Sequence, residues 1–528
     1  MMYDVHEQRV LVVGGGLAGL CAALFLRSHG VEVMLVERRT TTSPQPKARR
    51  INIRTMELFR QLGIADEVLE AARDLANNQF MAAGPTLAAA ERLPFTLPGG
   101  LPDWEAITPA TACLCAQDLL EPVLRDRAEA RGAEVRFGVE LIDFHDGDTG
   151  VEATLRGADG TVQRLHADYL IAADGSGSPI RERLGISRSG RGTLGRAVNV
   201  YFRAELAELV RGREFNLCQI ENDSAPGAFA SIDGSARWIF SSATGLDRGA
   251  GEWPDTLRTA IGDPTVEIEI LSVMPWEPGM FVADTYRRGH IFLAGDAAHV
   301  MPPFAAAGAN TGIEDAHNLA WKLAHVLHGS ADPALLDTYQ SERHPVGWFI
   351  ADQSSIRTTD LRTMNRESTD ATPLADPLAL ILGNRYPTGA FVDDGSAHTM
   401  DHLDIAGQPG TRLPHAYLTP GRSTLDLIGT DFVLLIGSSG APWRTAAAGM
   451  PSVSVHDIPE TYCKTVDLTT EGALLVRPDQ IVAWRAPQLP ADPAGALHTA
   501  LALSLGRAAH PRGPWQSGEH ASPAASPR

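Results

Sequence analysis

Gly14, Gly16 and Gly19 stand in the spacing G-x-G-x-x-G, and Glu37 follows 23 residues after the first of them. In such a loop the first glycine makes a tight turn, the second admits a pyrophosphate and the third lets helix and strand pack closely. Leu17 and Ala18 would open the helix, whose unpaired N–H groups favour a phosphate. Glu37, with Arg38 beside it, would lie next to the ribose of a dinucleotide. Two further segments carry acids in a similar setting. LIAADGSGSPIRERLG places Asp174, Ser178 and Arg181 after an apolar run, and IFLAGDAAHVMPP ends another run at Gly295 and Asp296. Either aspartate alone is more often a helix cap or a polar strand end. Their order along the chain argues for one dinucleotide site assembled from distant pieces.

The elements that would hold these residues read as a βαβ unit. RVLVV is a short buried strand, LAGLCAALFLRSHG an apolar helix that stops near Gly30, and VEVMLVE a second strand. A helical crossover of this length implies parallel strands in an open sheet covered on both faces, hence an α/β fold. Residues 51–73 and 116–132 look helical; 134–144, 151–156 and 162–173 look like strands; 76–112 is turn-rich. Strand-like AVNVYFRA, RWIFSSA and VEIEILSV predict a second sheet, and NTGIEDAHNLAWKLAHVLHG predicts a long helix after the GD motif. The predicted division is 1–185 for the first part of the nucleotide domain, with 76–112 adding to the substrate region, and 186–285 for a substrate domain. It continues with 286–395 for the second nucleotide part, 396–509 for a small α/β domain and 510–528 for a disordered tail.

Composition narrows the partners. A formal charge of -19, from 45 Lys+Arg against 64 Asp+Glu, disfavours nucleic acid. Five scattered cysteines suit free thiols in a reducing compartment, and no His/Cys cluster suggests a metal. No apolar stretch is long enough to span a bilayer and the N-terminus has no signal-peptide pattern, so the expected location is cytoplasmic, without membrane attachment. Phe202, Phe215, Trp238, Phe240 and Trp276 would face either a cavity or the core of the second sheet, the core being the safer reading.

The three motifs, in this order, resemble those of the group A flavoprotein monooxygenases, the para-hydroxybenzoate hydroxylase family, over about residues 8–350. PKARRINIRTMEL, LCAQDLLEPVL and NTGIEDAHNLAWKL resemble the hydroxylases that tailor aromatic polyketides in actinomycetes. HAYLTPGRSTLDLIG and LLVRPDQIVAWR are similar to their C-terminal thioredoxin-like domain. The resemblance implies a Rossmann-type FAD domain with an inserted sheet-based substrate domain. It implies FAD as cofactor, NADPH or NADH and dioxygen as co-substrates, and a polycyclic aromatic substrate hydroxylated through a flavin C4a-hydroperoxide. Baeyer–Villiger insertion, epoxidation, oxidative ring rearrangement and a non-oxygenating flavin reductase stay open, as does monomer against homodimer.

Residue by residue, the resemblance implies that Asp296 binds the ribityl chain and that Asp174 to Arg181 supports FAD and nicotinamide binding. Lys47 takes the place of an FAD-contacting arginine, and Gln117 matches a glutamine near the flavin. Pro303, Gly308, Ala309 and Asn310 belong to the loop and helix start whose N–H groups face the flavin pyrimidine. Two departures stand out. Arg50 replaces a small residue and is either a substrate-facing cation or a solvent-facing one, and Ala305–Ala306 replaces a glycine pair. His299, His317, Tyr339, Arg343 and Pro345 read as structural, and Cys463, without a C-x-x-C partner, excludes a dithiol redox role for the C-terminal domain.

Overall fold

Val13, Glu37, Ala172 and Leu293 end four strands at one edge of one sheet. A computed structural model describes residues 6–94, 102–364, 366–396 and 399–507; the tail 510–528 lies outside the described residues. The principal sheet runs Arg287–Arg288, Ile291–Leu293, Val162–Ala172, His6–Val13, Val33–Glu37, Glu134–Phe137. His6–Val13 is central and parallel to both neighbours, with Val13 opposite Val36 and Ala172, and Ala172 opposite Leu293. Val10, Leu11, Val12 and Leu35 are buried because helices cover both faces. The helix Leu17–Ser28 packs on the long helix Ala307–Leu327. That long helix begins three residues earlier than the sequence pattern suggests.

The single helical reading of 51–73 is corrected. Ile51 pairs with Cys113 in a two-stranded ribbon, and the helix Ile53–Gln61 ends before Gly63, whose φ of 69° breaks it from Ala65–Ala71. Asn52 caps the first of these helices, its Oδ1 accepting from the Thr55 N–H at 2.8 Å.

A second sheet runs Glu269–Trp276, Ala197–Arg203, Arg237–Ser242, Gly227–Ser231, Leu217–Ile220, Met81–Gly84, Glu91–Arg92. The last two strands come from the turn-rich stretch after residue 76. Phe202, Phe215, Trp238 and Phe240 are buried together in its core, so these four rings hold the sheet. Trp276 is half-buried and donates its Nε1–H to Asn199 Oδ1 at 3.1 Å.

The C-terminal unit has a four-stranded sheet in the order Val453–Asp457, Phe432–Ile436, Ala473–Val476, Val482–Ala486. It docks on the nucleotide domain through buried charges. Arg412 forks onto the Glu57 carboxylate, Arg54 donates to Gln480 Oε1 at 2.5 Å, and Arg477 donates to both Glu342 oxygens at 2.7 and 2.9 Å. All five cysteines are free and buried, Cys463 among them.

Candidate functional site

The glycine loop, both aspartate motifs and the start of the long helix meet where those strands end. Gly14 has a φ of 116°, and a Cβ built on it would fall 2.2 Å from the Ala173 carbonyl oxygen. A Cβ on Gly19 would fall 1.9 Å from Gly14 O, so the helix can start against the loop only with glycine at both positions. A Cβ on Gly295 would fall 2.8 Å from the Ala18 Cβ and one on Gly312 would fall 2.9 Å from the Gly295 Cα, which locks the GD loop between the two helices. Glu37 is oriented by the main chain, its Oε2 accepting from Gly15 N–H at 2.7 Å and its Oε1 from Arg39 N–H at 2.9 Å. Arg38 beside it is exposed.

Asp174 and Asp296 have what a polar ligand requires. Asp174 Oδ2 accepts from Ile180 N–H at 3.2 Å, while its buried Oδ1 has no partner among the described residues. Burial raises the Asp174 carboxyl, with Ser178 pulling back. Asp296 is solvent-accessible, yet the surrounding protein raises its carboxyl too, opposed by His299 and Lys47. A carboxylate that is accessible and yet desolvated by its surroundings is open to a ligand. Gly308, in the first turn of the long helix, would carry a Cβ 4.0 Å from Asp296 Oδ1.

Other residues named from the sequence serve as supports. Arg181 is buried and donates to Ser176 O at 3.1 Å and Ala297 O at 3.2 Å, tying one aspartate motif to the other. The Asn310 side chain is fully used: Oδ1 accepts from Asn52 N–H at 3.0 Å and Thr55 Oγ1 at 2.7 Å, and Nδ2 donates to Arg50 O and Ala306 O. Only its main chain is left for a ligand. His299 is buried against Asp315 at 2.6 Å; Asp315 also accepts from Gly295 N–H and Arg343 Nε. Tyr339 donates to Leu293 O at 2.7 Å, and His317 is buried on Gln61 at 2.9 Å. Pro303 and Lys47 are exposed and Ala309 is half-buried.

Glu121 escaped the sequence reading. It is buried, accepts from Gln117 Nε2 at 2.6 Å and from Ser43 N–H at 2.7 Å, and lies 3.9 Å from where Gly16 would carry a Cβ. It follows Gln117 by four residues, one helical turn, which is the signal that could have revealed it.

Residues 7–354 match the family model described as FAD binding domain, and residues 406–508 that described as Aromatic-ring hydroxylase, C-terminal. The chain belongs to the FAD-dependent aromatic-ring hydroxylases. Among relatives of this hydroxylase, tetracenomycin B2 monooxygenase-dioxygenase of Streptomyces olivaceus is 41% identical, over 96% of this chain and 100% of its own. Tetracenomycin A2 monooxygenase-dioxygenase of Streptomyces glaucescens is also 41% identical, over 96% and 98%. A solved ternary complex of aklavinone-11 hydroxylase with FAD and aklavinone matches with a TM-score of 0.83 and 33% identity, over 96% of this chain and 100% of that one. FAD is the cofactor of this hydroxylase family, and the orphaned Asp174 Oδ1, the glycine cradle and the cleft-facing Asp296 fit it.

The loop ahead of the long helix is strained in this hydroxylase. Ala305 and Ala306 hold φ of 49° and 53°, a left-handed conformation that costs an L-residue about 1–2 kcal/mol each. Glycine would remove that cost and return about 0.5–1 kcal/mol through its looser unfolded chain. The double substitution Ala305→Gly, Ala306→Gly is therefore expected to stabilise the protein by about 1 kcal/mol. A thermal melt with a lower midpoint than the parent's would contradict this.

Proposed function

We propose that this protein is an NAD(P)H-consuming monooxygenase that hydroxylates a polycyclic aromatic polyketide, working in the cytoplasm as a monomer or homodimer. The observation that carries the reading is the convergence of Gly14, Asp174 and Asp296 at one sheet edge beside the first turn of the long helix, in a chain that aligns end to end with an FAD–aklavinone complex. In this reading Gly14, Gly16 and the N–H groups of Leu17 and Ala18 cradle the pyrophosphate, Glu37 takes the adenosine ribose, and Asp296 takes the ribityl hydroxyls. Lys47 lies close enough to Asp296 to act on its carboxyl and would meet a phosphate as a point charge. Main-chain N–H groups from Gly308 to Asn310 stabilise negative charge on the ring, as a helix start does without any acid or base.

When bound, FAD supplies the oxygen-activating chemistry. The chain's own work is to position the aromatic ring against it, exclude water and hold the developing charge. The second sheet roofs the cleft through Arg49, which donates to Ser231 O at 2.6 Å and Asn216 O at 2.9 Å. Turnover of a polyketide phenol panel under 18O2 with NADPH or NADH tests the proposal. Incorporation of label into product is expected; nicotinamide oxidation without labelled product would leave only the reductase reading. A second reading, incorporation of more than one oxygen, is favoured by the two tetracenomycin relatives named monooxygenase-dioxygenase, and the label count separates it.

A further inference from the structure

The segment Lys47–Ala48–Arg49–Arg50 places three cations in four residues of a chain whose net charge is -19. Arg49 is buried. Arg49 spends its guanidinium on the carbonyls of Ser231 and Asn216 and on Asn216 Oδ1, all neutral acceptors. Arg50 is half-buried, and among the described residues its guanidinium has neither a hydrogen bond nor a carboxylate partner. Burial lowers its pKa, and the group acting the other way is the Cys113 thiol, whose own pKa burial pushes up to about 12. Burial likewise lowers Arg49 to about 10, with Arg50 adding to the effect.

A half-buried guanidinium with no carboxylate beside it keeps its donors open for something that carries the counter-charge. Arginine does not escape by losing its proton. The main chain of Arg50 fixes where that something must be. Its carbonyl accepts from Asn310 Nδ2 at 3.1 Å, so the residue stands at the first turn of the long helix, on the ring side of the cleft. Successive side chains of a strand point to opposite faces. Arg49 therefore reaches the second sheet while Arg50 projects from the other face of the ribbon. Lys47, the third cation of the segment, acts on Asp296.

We propose that Arg50 is a specificity-determining residue that binds an ionised oxygen of the substrate, so that this enzyme selects polycyclic aromatics carrying an acidic hydroxyl or a carboxylate. The inference rests on the hydroxylase reading above and narrows its substrate class. The hydroxyl proton leaves to solvent on binding, and the anion forms a charge-assisted pair with Arg50. A fixed cation on one side of the ring also fixes which carbon faces the flavin. The ring's own negative charge on reduction is met by the main-chain N–H groups at the helix start, which leaves Arg50 for the substrate.

The test uses the FAD holoenzyme, with 2-hydroxyanthraquinone and its methyl ether as probes and perturbation of the oxidised flavin spectrum as readout. The parent is expected to bind the acidic probe at least about tenfold more tightly than the ether, the scale of one charge-assisted hydrogen bond. Arg50→Gln should erase that preference, and Arg50→Lys should restore most of it. An unchanged preference in Arg50→Gln would overturn the proposal. So would a shifted midpoint potential of the ligand-free flavin in Arg50→Gln with the ligand preference intact, because Arg50 would then be serving the flavin. Binding is read without turnover, so a parent that prefers the acid but incorporates no 18O2 label would fail the hydroxylase reading and not this one.

Discussion

Replacing Glu342 by alanine is expected to destabilise the protein by about 3–5 kcal/mol. The carboxylate is wholly buried and accepts from Lys322 Nζ at 2.7 Å, Asn318 Nδ2 at 2.6 Å, Ala390 N–H at 2.7 Å and both terminal nitrogens of Arg477. Burial pushes this acid up, but Arg477 and Lys322 outweigh it and hold it well below the usual carboxylate range. Without it, Lys322, already lowered to about 8 by burial, can shed its proton, whereas Arg477 keeps its charge with only Asp479 to meet it. Glu342→Gln keeps the shape and loses the charge, so it should fall between. Urea denaturation measures both, and a Glu342→Ala loss below about 1 kcal/mol would show the network to be ornamental.

The same carboxylates give acid lability a sign. Glu57 is held low in the same way, burial raising it and Arg412 outweighing that. A folded-state value below the unfolded one means that the stabilisation is complete above about pH 4.3 and is lost as pH falls further. Acid unfolding should therefore begin below about pH 4.3 and begin at a higher pH in Glu342→Gln.

Gly14→Ala should yield a colourless protein with FAD affinity reduced by at least a hundredfold, about 3 kcal/mol. The added carbon meets the Ala173 carbonyl at 2.2 Å, a main-chain clash that no rotamer relieves, at a φ of 116° that alanine avoids. Gly16→Ala separates folding from ligand space. Its added carbon meets only Glu121 Oε1 at 3.9 Å, so that variant should melt like the parent and lose affinity solely through crowding of the pyrophosphate. FAD titration by fluorescence quenching checks both, and a yellow Gly14→Ala protein as purified would refute the geometry.

What could be read from the sequence was what has local cause. Gly14 and Gly19 announce a loop because only glycine tolerates the approach, and the runs before Asp174 and Asp296 announce strands because both faces are covered. Long-range partnership left no such trace. Met81–Gly84 joins Leu217–Ile220 across more than a hundred residues, Arg49 looks like a surface arginine until the second sheet closes over it, and Glu121 is one carboxylate among 64. The alanine pair was legible as a substitution, but its left-handed backbone was not, since alanine ordinarily forbids it. Asn310 belongs by sequence to the helix start whose N–H groups face a ligand; that its side chain also clamps the long helix to Asn52 and Thr55 left no trace in the sequence.

The docking charges also set an order of synthesis. Glu57 and Glu342 are made long before Arg412 and Arg477, the arginines that neutralise them. Until the last quarter of the chain leaves the ribosome, the nucleotide domain carries acids meant for its interior with only part of their counter-charge, Arg54 beside Glu57 and Lys322 beside Glu342, and it must keep that face wet. The C-terminal unit thus acts as a completion signal. A chain cut before residue 406 is not a smaller hydroxylase but an unfinished one, and its flavin should be held loosely or not at all.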